Sequence, residues 1–248
     1  MKQILLKGLE RIVSKLPTRD AETLLKRIIA QRADSLLPDE ALRFLFHLDA
    51  FLYSLQGQKS IVYGGGLHTK HRHIRYHEFF IGRIAPEDNV LDIGCGNGAV
   101  DYDIAEKTGA RVTGIDISEA NIAAARQQFS HPRIHYIAGN ALSDLPQERF
   151  DVVLLSNVLE HLPDRPQFLQ QVQSITKAQR MLIRVPLFER EWRVPLKREL
   201  GVEWRLDPTH ETEYTIESFR EEMDKAGLKI DHLEARWGEL WAQVCAKC

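Results

Sequence analysis

The apolar positions of this chain follow two rhythms. In the first part they recur at helical spacing: Leu5, Leu9, Ile12 and Leu16, then Leu24, Leu25, Ile28 and Ile29, then Leu42, Leu45, Phe46, Leu52 and Leu55. That period predicts three amphipathic helices, with Gly8 weakening the first and Pro17 and Pro38 separating them. Gly64-Gly65-Gly66 breaks the pattern as a hinge or a close backbone approach, and a fourth helix is predicted over about 70–84, before Pro86. From residue 89 the rhythm changes to short apolar runs alternating with helix-length segments. Strands are predicted at 89–93, 111–116, 134–138, 150–156 and 180–186. Helices are predicted at 98–107, 118–130 and 165–175, with Ser118 as an N-cap. A helix over 215–226, ended by Gly227, precedes strands at 229–236 and 239–246, with Trp237-Gly238 at their bend. Strand–helix alternation of this kind builds a parallel sheet covered on both faces, and the right-handed crossover rule makes it doubly wound. The fold expected is therefore α/β: a Rossmann-like, mostly parallel seven-stranded sheet with a C-terminal antiparallel hairpin and an N-terminal helical extension. The expected division is a helical extension or lid at 1–84 and a ligand-binding domain at 85–248.

Composition narrows the class. The chain has 248 residues, 44% hydrophobic and 27% charged, with a formal net charge of −2. It is long enough to bury a core without staples, and it is no polycation built to coat nucleic acid. Residues 1–33 carry eight Lys/Arg against three Asp/Glu, which fits a solvated helical face or contact with an acidic partner or membrane surface. Three scattered cysteines form no disulfide framework and point to a reducing compartment. Cys245 and Cys248 have C-x-x-C spacing, but a last turn of chain is a poor place for a redox or zinc site. No apolar run approaches a membrane span and the N-terminus has no signal-peptide core, so the expected location is cytoplasmic. A homodimer, if one forms, is expected through the N-terminal helices.

The strongest local signal is Val90-Leu91-Asp92-Ile93-Gly94-Cys95-Gly96-Asn97-Gly98-Ala99, an apolar strand running into three glycines and a helix. Bare backbone there lets a ligand lie against the main chain. Gly94-x-Gly96-x-Gly98 fits an S-adenosylmethionine loop, while Gly94-x-Gly96-x-x-Ala99 also fits a dinucleotide fingerprint. Asp92 tilts the choice. A carboxylate at this strand end would repel a pyrophosphate seated on the helix N-terminus and would suit a ligand bearing an ammonium and a sulfonium. Asp116, closing the next strand 18 residues past Gly98, can accept hydrogen bonds from ribose hydroxyls of either ligand.

With these motifs the chain resembles the class I S-adenosylmethionine-dependent methyltransferases from about Asn89 to the C-terminus. The resemblance rests on 90–98, 112–117, Ala138-Gly139-Asn140-Ala141 and 150–162. The last of these contains the Val158-Leu159-Glu160-His161 run of the subgroup that methylates small molecules. The resemblance implies that Asp92, Gly94, Gly96 and Gly98 line the methionine end of the cofactor. Asp116 would hold the ribose and Ile117 would pack on the adenine. Asn140 and Ala141 would meet the adenine edge, and Asn157 and Val158 would lie beside the sulfonium. Many relatives carry Asp where Asn140 stands.

The acceptor side is read from residues outside those motifs. His161, just past the fourth strand, is the first candidate for a base or an acceptor contact, and His210 the second. The segment 67–77 holds four histidines and three Lys/Arg. His68, His71, Arg72 and His77 are candidates for a positive rim facing an anionic acceptor. His73 and His77 have a metal-ligand spacing, but adjacent cations disfavour it and no metal is assigned. In the insertion at 187–213, Trp192 and Arg193 could clamp a sugar or an anion, and the near-balance of charge argues against a nucleic-acid track. The expected function is methyl transfer to a small molecule, on oxygen. The competing readings are an NAD-dependent oxidoreductase and a non-catalytic S-adenosylmethionine-binding partner module.

Overall fold

The structure, a computed structural model, describes residues 2–66 and 68–247. Leu67, Cys248 and the Leu5 side chain of the sequence readings lie outside the described residues. By the density of its internal contacts the chain falls into two units, Met1–Lys59 with Lys197–Val202, and Ser60–Leu196 with Glu203–Cys248.

The first unit consists of α1 (Lys2–Val13), α2 (Thr18–Asp34) and most of α3 (Pro38–Tyr63). Within it Arg43 Nε donates to the Leu200 carbonyl at 3.0 Å, and Lys197 lies over the Phe46 ring, 5.3 Å from its centroid. The predicted stripes are present, yet Leu9, Ile12, Ile28 and Phe51 are exposed.

The second unit opens with two short helices, α4 (Lys70–Ile74) and α5 (Tyr76–Ile81), where the sequence predicts a single one. Arg75 between them is left-handed (φ 58°), which ends the first helix and turns His73 and His77 off a common face. The sheet follows: β1 (Asn89–Ile93), β2 (Arg111–Asp116), β3 (Ile134–Ala138), β4 (Val152–Ser156), β5 (Arg180–Pro186), β6 (Leu228–Arg236) and β7 (Glu239–Ala246). Its order is β3-β2-β1-β4-β5-β7-β6. The β1–β2, β1–β4, β2–β3 and β4–β5 pairs are parallel, and β5–β7 and β6–β7 are antiparallel. The crossovers carry α6 (Ala99–Thr108), α7 (Glu119–Gln128), α8 (Arg165–Thr176), α9 (Arg193–Glu199) and α10 (Ile216–Lys225). Ser118 caps α7 by accepting from Asn121 N, as predicted.

Side-chain parity sorts the central strands. Leu91, Ile93, Val153, Leu155 and Ile183 pack with Phe168, Leu169 and Phe219 on one face. Val90, Val152, Leu154 and Leu182 pack with Tyr76, Phe80, Val100 and Ile104 on the other. Such two-sided burial is why these strands read as continuous apolar runs. Among the described residues no helix is long and apolar enough to cross a membrane.

Candidate functional site

Parallel strands leave their carboxyl ends open where the order reverses, here between β1 and β4. Asp92, Ser156 and Arg184 share the parity of Val90, Leu154 and Leu182, so all three turn to the face covered by α5 and α6. They line a cleft of about 220 Å³ with Lys70, His71, Tyr76, Gly94, Gly96 and Asn157.

The floor of the cleft is the glycine loop. A Cβ at Gly94 (φ +74°) would sit 2.5 Å from Val158 Cγ2, and one at Gly98 (φ +80°) would overlap the Tyr136 hydroxyl. Those two positions are held to glycine by protein neighbours. Gly96 differs: a Cβ there meets nothing within 4 Å, so its open side is free for a ligand.

Under the loop lies a feature that the sequence reading missed. Asp101, in the first turn of α6, is fully buried against Asp92. Asp92 Oδ1 and both Asp101 oxygens find no donor among the described residues. Burial pushes Asp92 up to about 7. Burial and then the Asp92 charge push Asp101 well above the ordinary carboxylate range. The pair shares a proton near neutrality. The signal in the sequence was an acid set among the apolar positions Val100, Ile104 and Ala105 of α6.

Asp116 is buried and organises the loop. Its Oδ2 accepts from Gly96 N at 2.9 Å, and its Oδ1 from Ser118 N at 2.8 Å and Asn121 Nδ2 at 3.2 Å. A carboxylate has about four acceptor sites, so these bonds leave little capacity for a ribose. Ile117 is 74% exposed, an apolar surface without cover. Asn140 Oδ1 accepts from Leu142 N at 3.0 Å, and its backbone N–H donates to Asp144. Ala141 packs on the core. Asn157 is left-handed (φ 58°) and its Oδ1 is buried without a donor among the described residues. Strain and an orphaned acceptor at a strand end mark a ligand position.

These residues fit a cationic sulfur nucleoside. An acidic pair lies under an open glycine, an orphaned amide oxygen belongs to another residue of the same lining, and an uncovered isoleucine follows Asp116. A diphosphate would meet the Asp92, Asp101 and Asp116 carboxyls instead.

The opposite wall is cationic and aromatic. Arg184 forms a bidentate pair with Glu239 (2.6 and 2.6 Å), donates to Ser156 Oγ at 3.1 Å and stacks 4.0 Å from the Tyr76 ring centroid. The Tyr76 hydroxyl and His71 Nδ1 are 2.8 Å apart. Burial holds His71 down to about 4, so its ring is neutral, and raises the Tyr76 hydroxyl to about 12. Lys70 has no carboxylate partner among the described residues.

Of the predicted acceptor-side residues in 67–77, the structure brings only His71 into the cleft lining. His68 Nδ1 accepts from Lys70 N at 3.1 Å, and Arg72 lies over Tyr63. His77 pairs with Asp103 at 2.8 Å. Trp192 is 73% exposed and Arg193 pairs with Glu191, and neither lines the cleft. Arg190, Glu213 and the Trp204 carbonyl instead pin the insertion to itself.

His161 and His210 do meet. Their ring centroids are 4.7 Å apart at 80°, because Glu211 N and Thr212 N donate to the Glu160 carbonyl (2.7 and 3.3 Å) and hold that loop on the 159–161 turn. Glu160 joins them, and one ligand atom from each of the three lies within 4.8 Å of the others. Burial pushes Glu160 up to about 7, and it also feels Arg184 and Glu239 in the cleft wall.

Comparison with known proteins agrees with this geometry. A sequence profile described as a methyltransferase domain matches residues 67–233. The chain is 36% identical over 128 residues to a ubiquinone biosynthesis O-methyltransferase of Bradyrhizobium diazoefficiens, covering 49% of this chain and 50% of that protein. It is 31% identical over 164 residues to a protein of the same name from Rhodopseudomonas palustris, covering 60% and 64%. It thus spans half to about two-thirds of the relatives it matches. In fold it is similar to the magnesium protoporphyrin IX methyltransferase of Synechocystis with bound SAH (TM-score 0.57, 16% identity, 71% of this chain and 84% of that one). The chain belongs to the S-adenosylmethionine-dependent methyltransferase family of class I fold, whose cofactor the cleft residues fit.

Proposed function

We propose that the chain transfers a methyl group from S-adenosylmethionine to an oxygen of a small molecule that carries a negative charge. The observation that carries this reading is the division of one cleft into an acidic floor, Asp92 with Asp101, and a wall of Lys70, His71, Tyr76 and Arg184. S-adenosylmethionine supplies an electrophilic methyl carbon on a sulfonium that leaves readily. The floor holds a cation beside Gly96 and Asn157. Lys70 on the wall offers charge to an anion, whereas Arg184 is already neutralised by Glu239. We assign the acceptor hydroxyl to His161 and His210, which meet just beyond the end of β4. As the C–O bond forms, the C–S bond breaks with its electron pair staying on sulfur, and the hydroxyl proton leaves to solvent past the exposed His161. Alignment does most of the remaining catalytic work. The names of the 36% and 31% identical relatives support oxygen as the methylated atom.

The test is label transfer. The protein is incubated with methyl-deuterated cofactor and a panel of hydroxylated aromatic and aliphatic carboxylates, neutral alcohols and amines, and products are read by mass spectrometry. Labelled methyl ethers of the anionic members are expected. Transfer only to amines, or cofactor binding without transfer to any member, would refute the reading. Binding of NAD in place of S-adenosylmethionine in a calorimetric titration would refute the family's cofactor here.

A further inference from the structure

We propose that Glu160, His161 and His210 form a binding site for a first-row divalent cation such as Mn²⁺, Fe²⁺, Co²⁺ or Zn²⁺. The inference rests on the methyl-transfer reading for its use, but not for its geometry.

Glu160 is fully buried, and neither carboxylate oxygen meets a hydrogen-bond donor among the described residues. A buried carboxylate with both oxygens unsatisfied is costly, and it calls for a cation or a proton. The two histidines supply the rest of a coordination set. His210 is buried and its Nδ1 lies 3.1 Å from Glu213 Oε1. Glu213 accepts from the Arg190 guanidinium at Oε2 and from Leu206 N at Oε1, so it also accepts at Oε1 from His210, whose Nδ1 carries the hydrogen. The Thr209 hydroxyl donates its one hydrogen to Asp207 Oδ1 at 2.7 Å. It can only accept from His161 Nδ1 at 3.1 Å. Both rings are thereby fixed as Nδ1–H tautomers with the Nε2 lone pair free. Orientation of a ligating imidazole by a partner on its other nitrogen is the usual outer shell of a metal site.

With one ligand atom from each residue mutually within 4.8 Å, the three can converge on one ion and leave positions open for solvent or substrate. Two imidazoles and one carboxylate favour a borderline divalent metal over Mg²⁺ or Ca²⁺. Glu160 lies on the turn that follows β4, three residues beyond the cleft residue Asn157, so the ion would lie beside the cleft, where it lowers the proton cost of an acceptor hydroxyl.

The test uses the full chain, stripped with chelator and titrated with Co²⁺, the bound ion being read by its visible d–d absorption. Zn²⁺ and Mn²⁺ are then used as competitors. A Cys245→Ala background removes a thiolate that could bind Co²⁺ adventitiously. One equivalent is expected to bind, and Glu160→Gln and His210→Gln should each weaken it by at least about 100-fold. Thr209→Val, which acts only through His161, should weaken it by about 10-fold, the low end for outer-shell partners. Calorimetric binding of S-adenosylmethionine should be unchanged in all three, showing that they fold. No saturable Co²⁺ signal, or equal affinity in wild type and Glu160→Gln, would overturn the site in favour of a neutral, protonated Glu160. Tight Co²⁺ binding without methyl transfer to any acceptor would leave the site standing and sink the function proposed above. Full-rate methyl transfer in chelator would retain the function and overturn the metal's role in it.

Discussion

Asp101→Asn is the most informative single substitution, because it separates a charged cofactor floor from a protonated one. Asp92 and Asp101 are buried together, with burial the main force raising both and Asp116 adding a smaller push on Asp92. A cationic ligand prefers the ionised floor, so below about pH 7 binding must first expel a proton. With Asp92 near 7 in the ligand-free protein, about 90% of sites are protonated at pH 6 and about 10% at pH 8. Affinity should fall about tenfold between pH 8 and pH 6, equivalent to about 1.4 kcal/mol. An asparagine amide at 101 donates to Asp92 at every pH, as the Asp101 carboxyl does only while protonated, and it removes one of the two titrating acids, so the dependence narrows to that of Asp92 alone. The same raised pKa acts on stability with the opposite sign. The folded state holds the proton more tightly than the unfolded chain, so this contribution is full below about pH 4 and is lost as pH rises towards 7. Ligand-free wild type should therefore melt lower at pH 8 than at pH 5, and Asp101→Asn less so. Calorimetry in two buffers of different ionisation enthalpy counts the proton directly. Equal affinity at pH 6 and pH 8 with no proton release would refute the shared-proton floor.

Three further outcomes follow from the site. Gly94→Ala forces a methyl onto Val158 Cγ2 at a positive-φ position and should cost about 1–3 kcal/mol by thermal melting, with cofactor binding lost; unchanged melting would show that Val158 moves freely. Asp116→Ala releases Gly96 N and Ser118 N and should weaken S-adenosylmethionine by about 1.5–3 kcal/mol in a calorimetric titration, even though the carboxylate has little capacity left for a ribose. Arg184→Met strands Glu239 and should destabilise by about 3–5 kcal/mol in denaturant melts. Adding Glu239→Gln should restore most of the loss if the unpaired charge is its cause.

Much of the fold was legible because burial on both faces writes itself into the sequence. Six of the seven strands were placed to within one residue at each end, since each is a short apolar run bounded by polar turns. Only β4 opens two residues later than predicted. The glycine loop was legible for a local reason: positive φ and close approach of Val158 or Tyr136 tolerate nothing larger. What was not legible depends on contacts far apart in the chain. The break at Arg75 has no Gly or Pro to announce it, and it decides that His71 meets Tyr76 while His77 turns to Asp103. Asp101 reads as an ordinary first-turn acid until α6 is laid on β1. His161 and His210 were each named, but Glu160 between them was read only as part of a motif. That the three converge follows from two backbone hydrogen bonds to the Glu160 carbonyl.

The arrangement has an electrostatic logic that no single residue carries. The acids Asp92, Asp101 and Asp116 gather at the ends of β1 and β2 and the start of α6, while Lys70, Arg184 and the Nδ1–H imidazoles lie towards β4 and β5. In the proposed reaction the sulfonium on the first side faces the acceptor oxygen on the second along the line on which the methyl must move. The sulfonium charge and the oxyanion that develops as the hydroxyl loses its proton cancel, while a carboxylate elsewhere on the acceptor keeps its own charge. Charge neutralisation of this kind is favoured where water is scarce and the dipoles are fixed in advance. The same separation explains why Arg184 is tied to Glu239. A free guanidinium that close to the sulfonium would repel the cofactor, whereas a neutralised one can stack on Tyr76 and hold the wall in place. Under the proposed function the acceptor's charge is met by Lys70, and by a divalent ion at Glu160 if one is bound. Lys70→Met should thus raise KM for an anionic acceptor with little change in cofactor affinity. An equal effect on a neutral acceptor would mean that the wall shapes the pocket without reading charge.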